Sequence, residues 1–354
     1  MRRRRADLHD GQAAAEFFAW GTAIAVVGSA LFLLHPSPSV AAQETPSKDA
    51  AGYLELMAGA EGATYQVRQL VVYFGVPQSA AIVDVRSSEQ GEFLRAESGP
   101  AVTRLWRQPD RGLVSDDKGS ISEEAPSPVA LRPAAILRKF DVDVERTASL
   151  LGVRVVPLSL VRRSDRTAVE RLWVQPDSGI VYRRELYGVD GKLVGLSVIL
   201  DMRWGRDVPA EPYDPGSGEV TRAQGVAASG APAMLPDRYR LLRAYRVEMG
   251  GETTQHWLYS DGLHALSVFR TRGGLRRPGG FVKADVGGTS GWVGPGPGTW
   301  AWEGGGASWV VVAEEPALDP VRMTKGLPKG GPSAWARMGS LWSGAFRAVG
   351  DIFS

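Results

Sequence analysis

RLWVQPDSGIVYRRELYGVDGKLVGLSVILDMRW, residues 171–204, consists of three extended runs separated by two turns. Aromatic and β-branched side chains fill the runs, while Pro176-Asp177-Ser178-Gly179 and Gly188-Val189-Asp190-Gly191-Lys192 supply the turn chemistry. Extended runs joined by turns this short pair antiparallel, so the stretch predicts a meander. VRVVPLSLVRR, from residue 153, adds one strand before it. In LVGLSVIL, and in QLVVYF at 69–74, apolar residues occupy both faces. A sheet with one solvated face alternates more cleanly, so both faces are covered or one lines an apolar cavity.

Upstream, SKDAAGYLELMAGA (47–60) predicts a helix capped by Ser47 or Asp49, with Tyr53, Leu54, Met57 and Ala60 on one face. Strands are expected at 66–75, 80–87, 91–98 and 102–108, then a polar loop at 115–128 and a short helix at 133–140 opened by Pro133. Many strands and few helices give an α+β class: one large antiparallel sheet with a small helical layer, then a smaller β-rich α+β domain. The first domain is placed at 47–206. Residues 207–232, rich in Pro, Gly, Ala and Ser, read as a linker. The smaller domain is placed at 233–329, with a Gly-rich stretch at 272–306, a last strand at 307–316 and a closing helix at 318–328.

Composition narrows the function. The net charge of +2 over 354 residues argues against a nucleic-acid partner, which needs a clustered basic face. The chain has no Cys, which excludes disulfides, thiolate metal sites and a Cys nucleophile. Arg2–Arg5 precede an uncharged run of 18 residues, Phe17–Leu34, and small residues follow around Ala41-Ala42. Residues 1–42 therefore read as a signal peptide or a membrane anchor through 13–34, with the remainder extracytoplasmic. At the other end, residues 330–354 predict an amphipathic helix suited to a membrane surface or to docking on its own domain. Trp335, Arg337, Trp342, Phe346 and Arg347 are its membrane-surface candidates.

No catalytic constellation emerges, so no enzyme is expected. G-x-S-x-G, H-E-x-x-H and Walker patterns are absent. Ser115-x-x-Lys118 lacks accompanying motifs, and Asp141-x-Asp143-x-Glu145 reads as alternating acids at the start of a strand, not a calcium loop. Only His256 and His264 lie far from the apolar N-terminal run, and both read as satisfied or exposed histidines on a ribbon. No metal and no cofactor is expected.

That ribbon is HWLYSDGLHALSVF (256–269), two alternating runs around Ser260-Asp261-Gly262. Its aromatic residues beside a rigid turn are of the type that anchors protein interfaces. Trp257, Tyr259, Ser260, Asp261, Gly262 and Leu263 are the partner-binding candidates. Alternation sets Trp257 and Tyr259 opposite Leu258, so at most one of these sets is expected to be buried. For an apolar cavity, alternation selects Leu70, Val72, Phe74, Leu196 and Val198.

Taken in order, several stretches resemble the RseB/MucB family of sigma-E regulatory proteins. They are YLELMAGAEGATYQVRQLVVYF, ILRKFDVDVERTASLLGVRVVPL, the 171–204 meander with Gly179-Ile180, LPDRYRLL (235–242), WLYSDGLHALSVF and WVVVAEEP. The resemblance covers about 50–328. It implies a first domain shaped like the LolA/LolB lipoprotein carriers, a curved half-barrel that accepts an acyl lipid or lipoprotein. It also implies a smaller domain that binds the extracytoplasmic domain of an anti-sigma factor, with lipid signals controlling an envelope-stress sigma factor. A lipid or lipoprotein carrier without a signalling role is the alternative.

Overall fold

The computed structural model describes residues 46–328, apart from segments at 61–62, 75–77, 89–90, 99–100, 108–111, 116–120, 125–129, 206–219, 222–223, 226–229, 250–251, 273–280, 287–288 and 295–297. The expectations for residues 1–42, the linker's 207–219 and the tail at 330–354, with Trp335, Arg337, Trp342, Phe346 and Arg347, lie outside the described residues. No helix among the described residues is long and apolar enough to cross a membrane.

The chain opens with helix α1 (Ala50–Ala60). Asp49 is its cap, because the N–H of Gly52 donates to the Asp49 carboxylate at 2.8 Å. Four strands follow: β1 (Tyr65–Tyr73), β2 (Ser79–Ser88), β3 (Gly91–Ser98) and β4 (Ala101–Arg107). Part of the stretch expected to be a polar loop is strand instead. The short β5 (Gly112–Ser115) and β6 (Ile121–Glu124) extend the sheet, since backbone pairing needs no apolar side chain. Helix α2 (Pro133–Lys139) leads to β7 (Phe140–Val144), β8 (Ala148–Leu150) and the meander β9 (Val153–Arg162), β10 (Ala168–Val174), β11 (Val181–Tyr187) and β12 (Leu193–Trp204).

These strands form an antiparallel sheet, and β12 returns to pair with β1. The stretch read as a linker also contributes strands: β13 (Val220–Thr221) lies parallel to β6, and β14 (Gln224–Gly225) edges the second sheet. That sheet continues with β15 (Arg240–Met249), β16 (Glu252–Ser260), β17 (Ala265–Arg272), β18 (Val282–Val286), β19 (Thr289–Val293), β20 (Thr299–Gly304) and β21 (Ala307–Ala313). The described residues of the Gly-rich stretch are therefore largely strand. Helix α3 (Pro320–Gly326) packs Met323 into the core of this domain beside Tyr239, Trp257 and Tyr259. The chain is thus α+β, with two mostly antiparallel open sheets and short helices.

Register shows which face of the first sheet is which. Leu158, Leu172, Arg184, Ser197 and Val71 stand opposite one another in turn across five strands. Leu158 and Leu172 pack with Tyr53, Leu54 and Met57 of α1, so this row lies on the helix-covered face. Gly179 clamps the same helix. Its φ is +77°, and a Cβ there would lie 2.3 Å from the Leu56 carbonyl oxygen. Gly179→Ala is expected to destabilise the first domain by about 1–3 kcal/mol, because it combines left-handed backbone strain with a clash on main chain. Thermal unfolding that matches the wild type would show that α1 can step away from the turn.

Candidate functional site between the two domains

The Ser-Asp-Gly turn has the predicted form, and its side chains make it rigid. Ser260 Oγ accepts from the N–H of Gly262 at 2.8 Å. One oxygen of Asp261 accepts from the N–H groups of Leu263 and His264 at 2.8 and 2.7 Å. The turn does present a surface, but what it meets is the first domain of the same chain. The Gly262 carbonyl accepts from the N–H of Arg132 at 2.8 Å, just before α2. A Cβ at Gly262 would come within 2.7 Å of the Ala135 Cβ, so glycine is what lets the turn seat there.

Behind the turn lies a buried cluster of charges. Lys139, at the end of α2, places its ammonium 2.5 Å from Asp261 and 2.6 Å from Glu315. Arg162, the last residue of β9, pairs with the other Glu315 oxygen and donates to the Ala317 carbonyl at 2.9 Å. His264 bridges Glu170 of β10 at 2.7 Å and Asp261 at 3.3 Å. Arg184 of β11 holds Glu170 from behind, and the Tyr239 hydroxyl donates to Glu315 at 2.9 Å. Apolar contact is modest: Leu263 and Ala317 pack beside Ile136 and Phe140.

The electrostatics follow from this packing. Burial alone would push the His264 imidazolium down, but Asp261 and Glu170 push it up to about 9. Burial would likewise raise the Glu315 carboxyl, yet Lys139, His264 and Arg162 hold it below the usual range. Glu170 is held low by Arg184 and His264 against its own burial. His256 is the opposite case: desolvation alone pushes it down to about 4, and its ring stacks on Phe269.

Asp261, His264 and Glu315 bring ligand atoms within 4.8 Å of one another, a spacing that a metal ion could use. The Lys139 ammonium sits against both carboxylates. Both His264 nitrogens are engaged by carboxylates, which fixes the ring between the two domains.

The other candidates need correction. Trp257 and Tyr259 are 2% and 0% exposed, and Leu258 opposite them is buried as well. The expectation that only one set would be buried fails because the second sheet is covered on both faces. Trp257 and Tyr259 belong to the main core, while Leu258 shares the other face with His256 and the partly buried Phe269. Ser260, Asp261 and Gly262 are buried and Leu263 partly so. The partner-binding candidates therefore form core and interdomain contact, not an open surface.

The cavity candidates share a face as expected, with Leu70 opposite Val198 and Val72 opposite Leu196. Their row continues through Arg183 and Trp173, however, on the side away from α1. Phe74 lies just beyond β1 and is 39% exposed. On the helix side, Val67, Val83, Val85, Ala96 and Ile199 form an apolar cluster with Val71 packed against it.

An open antiparallel sheet with α1 and α2 on one face, joined to a smaller sheet through a buried ionic contact, defines a two-domain scaffold. Two solved structures share it. The complex of Pseudomonas aeruginosa MucA and MucB matches 80% of this chain and 100% of that chain, with a TM-score of 0.55 and 17% identity. A crystal structure of MucB matches 80% of this chain and 98% of that chain, with a TM-score of 0.53 and 18% identity. No family model matches the chain, and no curated protein does. The likeness is one of fold, and at that level the resemblance read from residues 50–328 is borne out.

The pH dependence of the cluster follows from His264. Its value of about 9 in the folded chain lies above the ~6.5 of an unfolded His. Its stabilising contribution is therefore complete below about pH 6.5 and is lost as pH rises through 9. Melting temperatures from pH 7 to 9.5 are expected to fall, and to fall less in His264→Gln. Glu315→Gln leaves buried cations under-compensated and is expected to cost about 3–5 kcal/mol in the same assay.

Proposed function

We propose that the chain is an extracytoplasmic, non-catalytic regulator that binds the extracytoplasmic domain of an anti-sigma factor and so controls an envelope-stress sigma factor. The observation that carries this reading is the two-sheet match to all of a MucB chain, in a structure where MucB is in complex with MucA. A simple carrier would need only the first sheet. Here a second sheet is fixed to the first by its own buried contact, and the carrier reading leaves that sheet without a role.

Within the same reading, the apolar helix-side face of the first sheet is the place for an acyl lipid or the acyl part of a lipoprotein. Each buried methylene contributes about 0.8 kcal/mol, so partial insertion of one chain is sufficient for binding. The face is assigned by register to Val67, Val71, Val83, Val85, Ala96 and Ile199.

The partner arm is tested by calorimetric titration of residues 43–354 with the extracytoplasmic domain of an anti-sigma factor. Saturable heat is expected, and lack of both heat and co-elution would leave the carrier as the better account. The lipid arm uses displacement of a fluorescent fatty acid. Val71→Asn is expected to weaken it and Leu70→Asn to leave it unchanged, because these neighbours point to opposite faces. The reverse result would return the cavity to the Leu70 face.

A further inference from the structure

We infer that the buried charge cluster is a latch between two separately folded domains, built to open and re-close. Four of its ion pairs join one domain to the other: Lys139 with Asp261 and Glu315, Arg162 with Glu315, and Glu170 with His264. The first domain brings the cations Lys139, Arg162 and Arg184 against Glu170 and Asp165. The second brings Asp261 and Glu315 against a protonated His264. The two halves are therefore complementary in charge.

Each half also carries its own internal compensation. Glu170 has Arg184, Arg162 has Asp165 at 2.7 Å, Asp261 has His264, and Glu315 has the Tyr239 hydroxyl. Lys139 alone takes both its ion-pair partners from the other domain. On separation every group but Lys139 keeps a partner, and the Lys139 ammonium, opened to solvent, is hydrated. An interface of the same size made of Leu and Phe would expose apolar surface and lose its full transfer free energy. A buried ionic contact gains little net stability over an apolar one, yet it penalises misplaced partners heavily. Those are the properties of a contact that specifies one orientation without making it permanent.

The rims fit the same account. Arg322, which holds Asp237 at 3.1 Å within the second domain, also reaches Asp165 of the first at 3.8 Å. The Gly262–Arg132 backbone hydrogen bond closes the opposite rim.

The inference does not depend on the identity of the partner, and its test needs none. The chain has no Cys, so two introduced cysteines carry spin labels without background. Val189→Cys and Val282→Cys serve, since these side chains are each 67% exposed and lie on different domains. Pulsed dipolar spectroscopy on the full chain should give one narrow distance distribution. Adding Lys139→Met, or separately Glu170→Gln, should broaden it and add a second population, while circular dichroism shows both sheets intact. Unchanged distributions in both variants would overturn the latch. So would joint loss of both domains in a single unfolding step for both variants, which would make the cluster part of one shared core. Failure of the anti-sigma titration alone would leave these distances, and the latch, untouched.

Discussion

A carboxylate or ammonium group removed from water must find opposite charge, and for Lys139 and Glu315 that demand is met from distant segments. Lys139 ends α2, Glu315 follows β21 and Asp261 sits in a hairpin turn, so satisfying one ammonium fixes three parts of the chain at once. Arg162 and Glu170 then fix the ends of β9 and β10 against the same point. The dry surroundings that strengthen these pairs also make any missing member costly. Position here is dictated more by charge pairing than by shape.

This changes what the Ser-Asp-Gly hairpin is for. Its aromatic residues fill the core of the second domain, and its turn is consumed by docking on α2. A partner that met this turn would have to displace the first domain from it. A regulator that binds elsewhere keeps the turn for setting the angle between its two sheets. The same position serves badly as an exposed binding tip and well as an internal bearing.

Much of the architecture was legible because local chemistry and tertiary context agree. The 171–204 meander, the helix before β1 and the hairpin at 256–269 all combine period-2 or 3.6 patterning with turn residues. Ile121–Glu124 was missed because a short strand paired through its backbone needs no apolar signature. The charge cluster was legible in principle. Glu170 shares parity with Leu172, Arg162 with Leu158 and Leu160, and Arg184 with Leu186, so each charge lies on an inward-facing position. A charge in such a place announces a buried partner, although the sequence does not say which. For the cavity candidates the limit is different. Alternation sorts residues into two sets, but which set faces the helix depends on pairing several strands away.

That same register draws the two halves of the molecule together. The row Val71–Ser197–Arg184–Leu172 begins on the apolar face of β1 and crosses the meander to the helix contact. Arg184 stands in it as the one charged residue, and its guanidinium holds Glu170, which holds His264 of the second domain. Along this row the apolar face and the interdomain contact are separated by one strand. Side chains packed this closely have discrete arrangements rather than a continuum of them. Strand register thus sets the apolar face near Val71 and the Arg184–Glu170–His264 contacts two strands apart in one sheet.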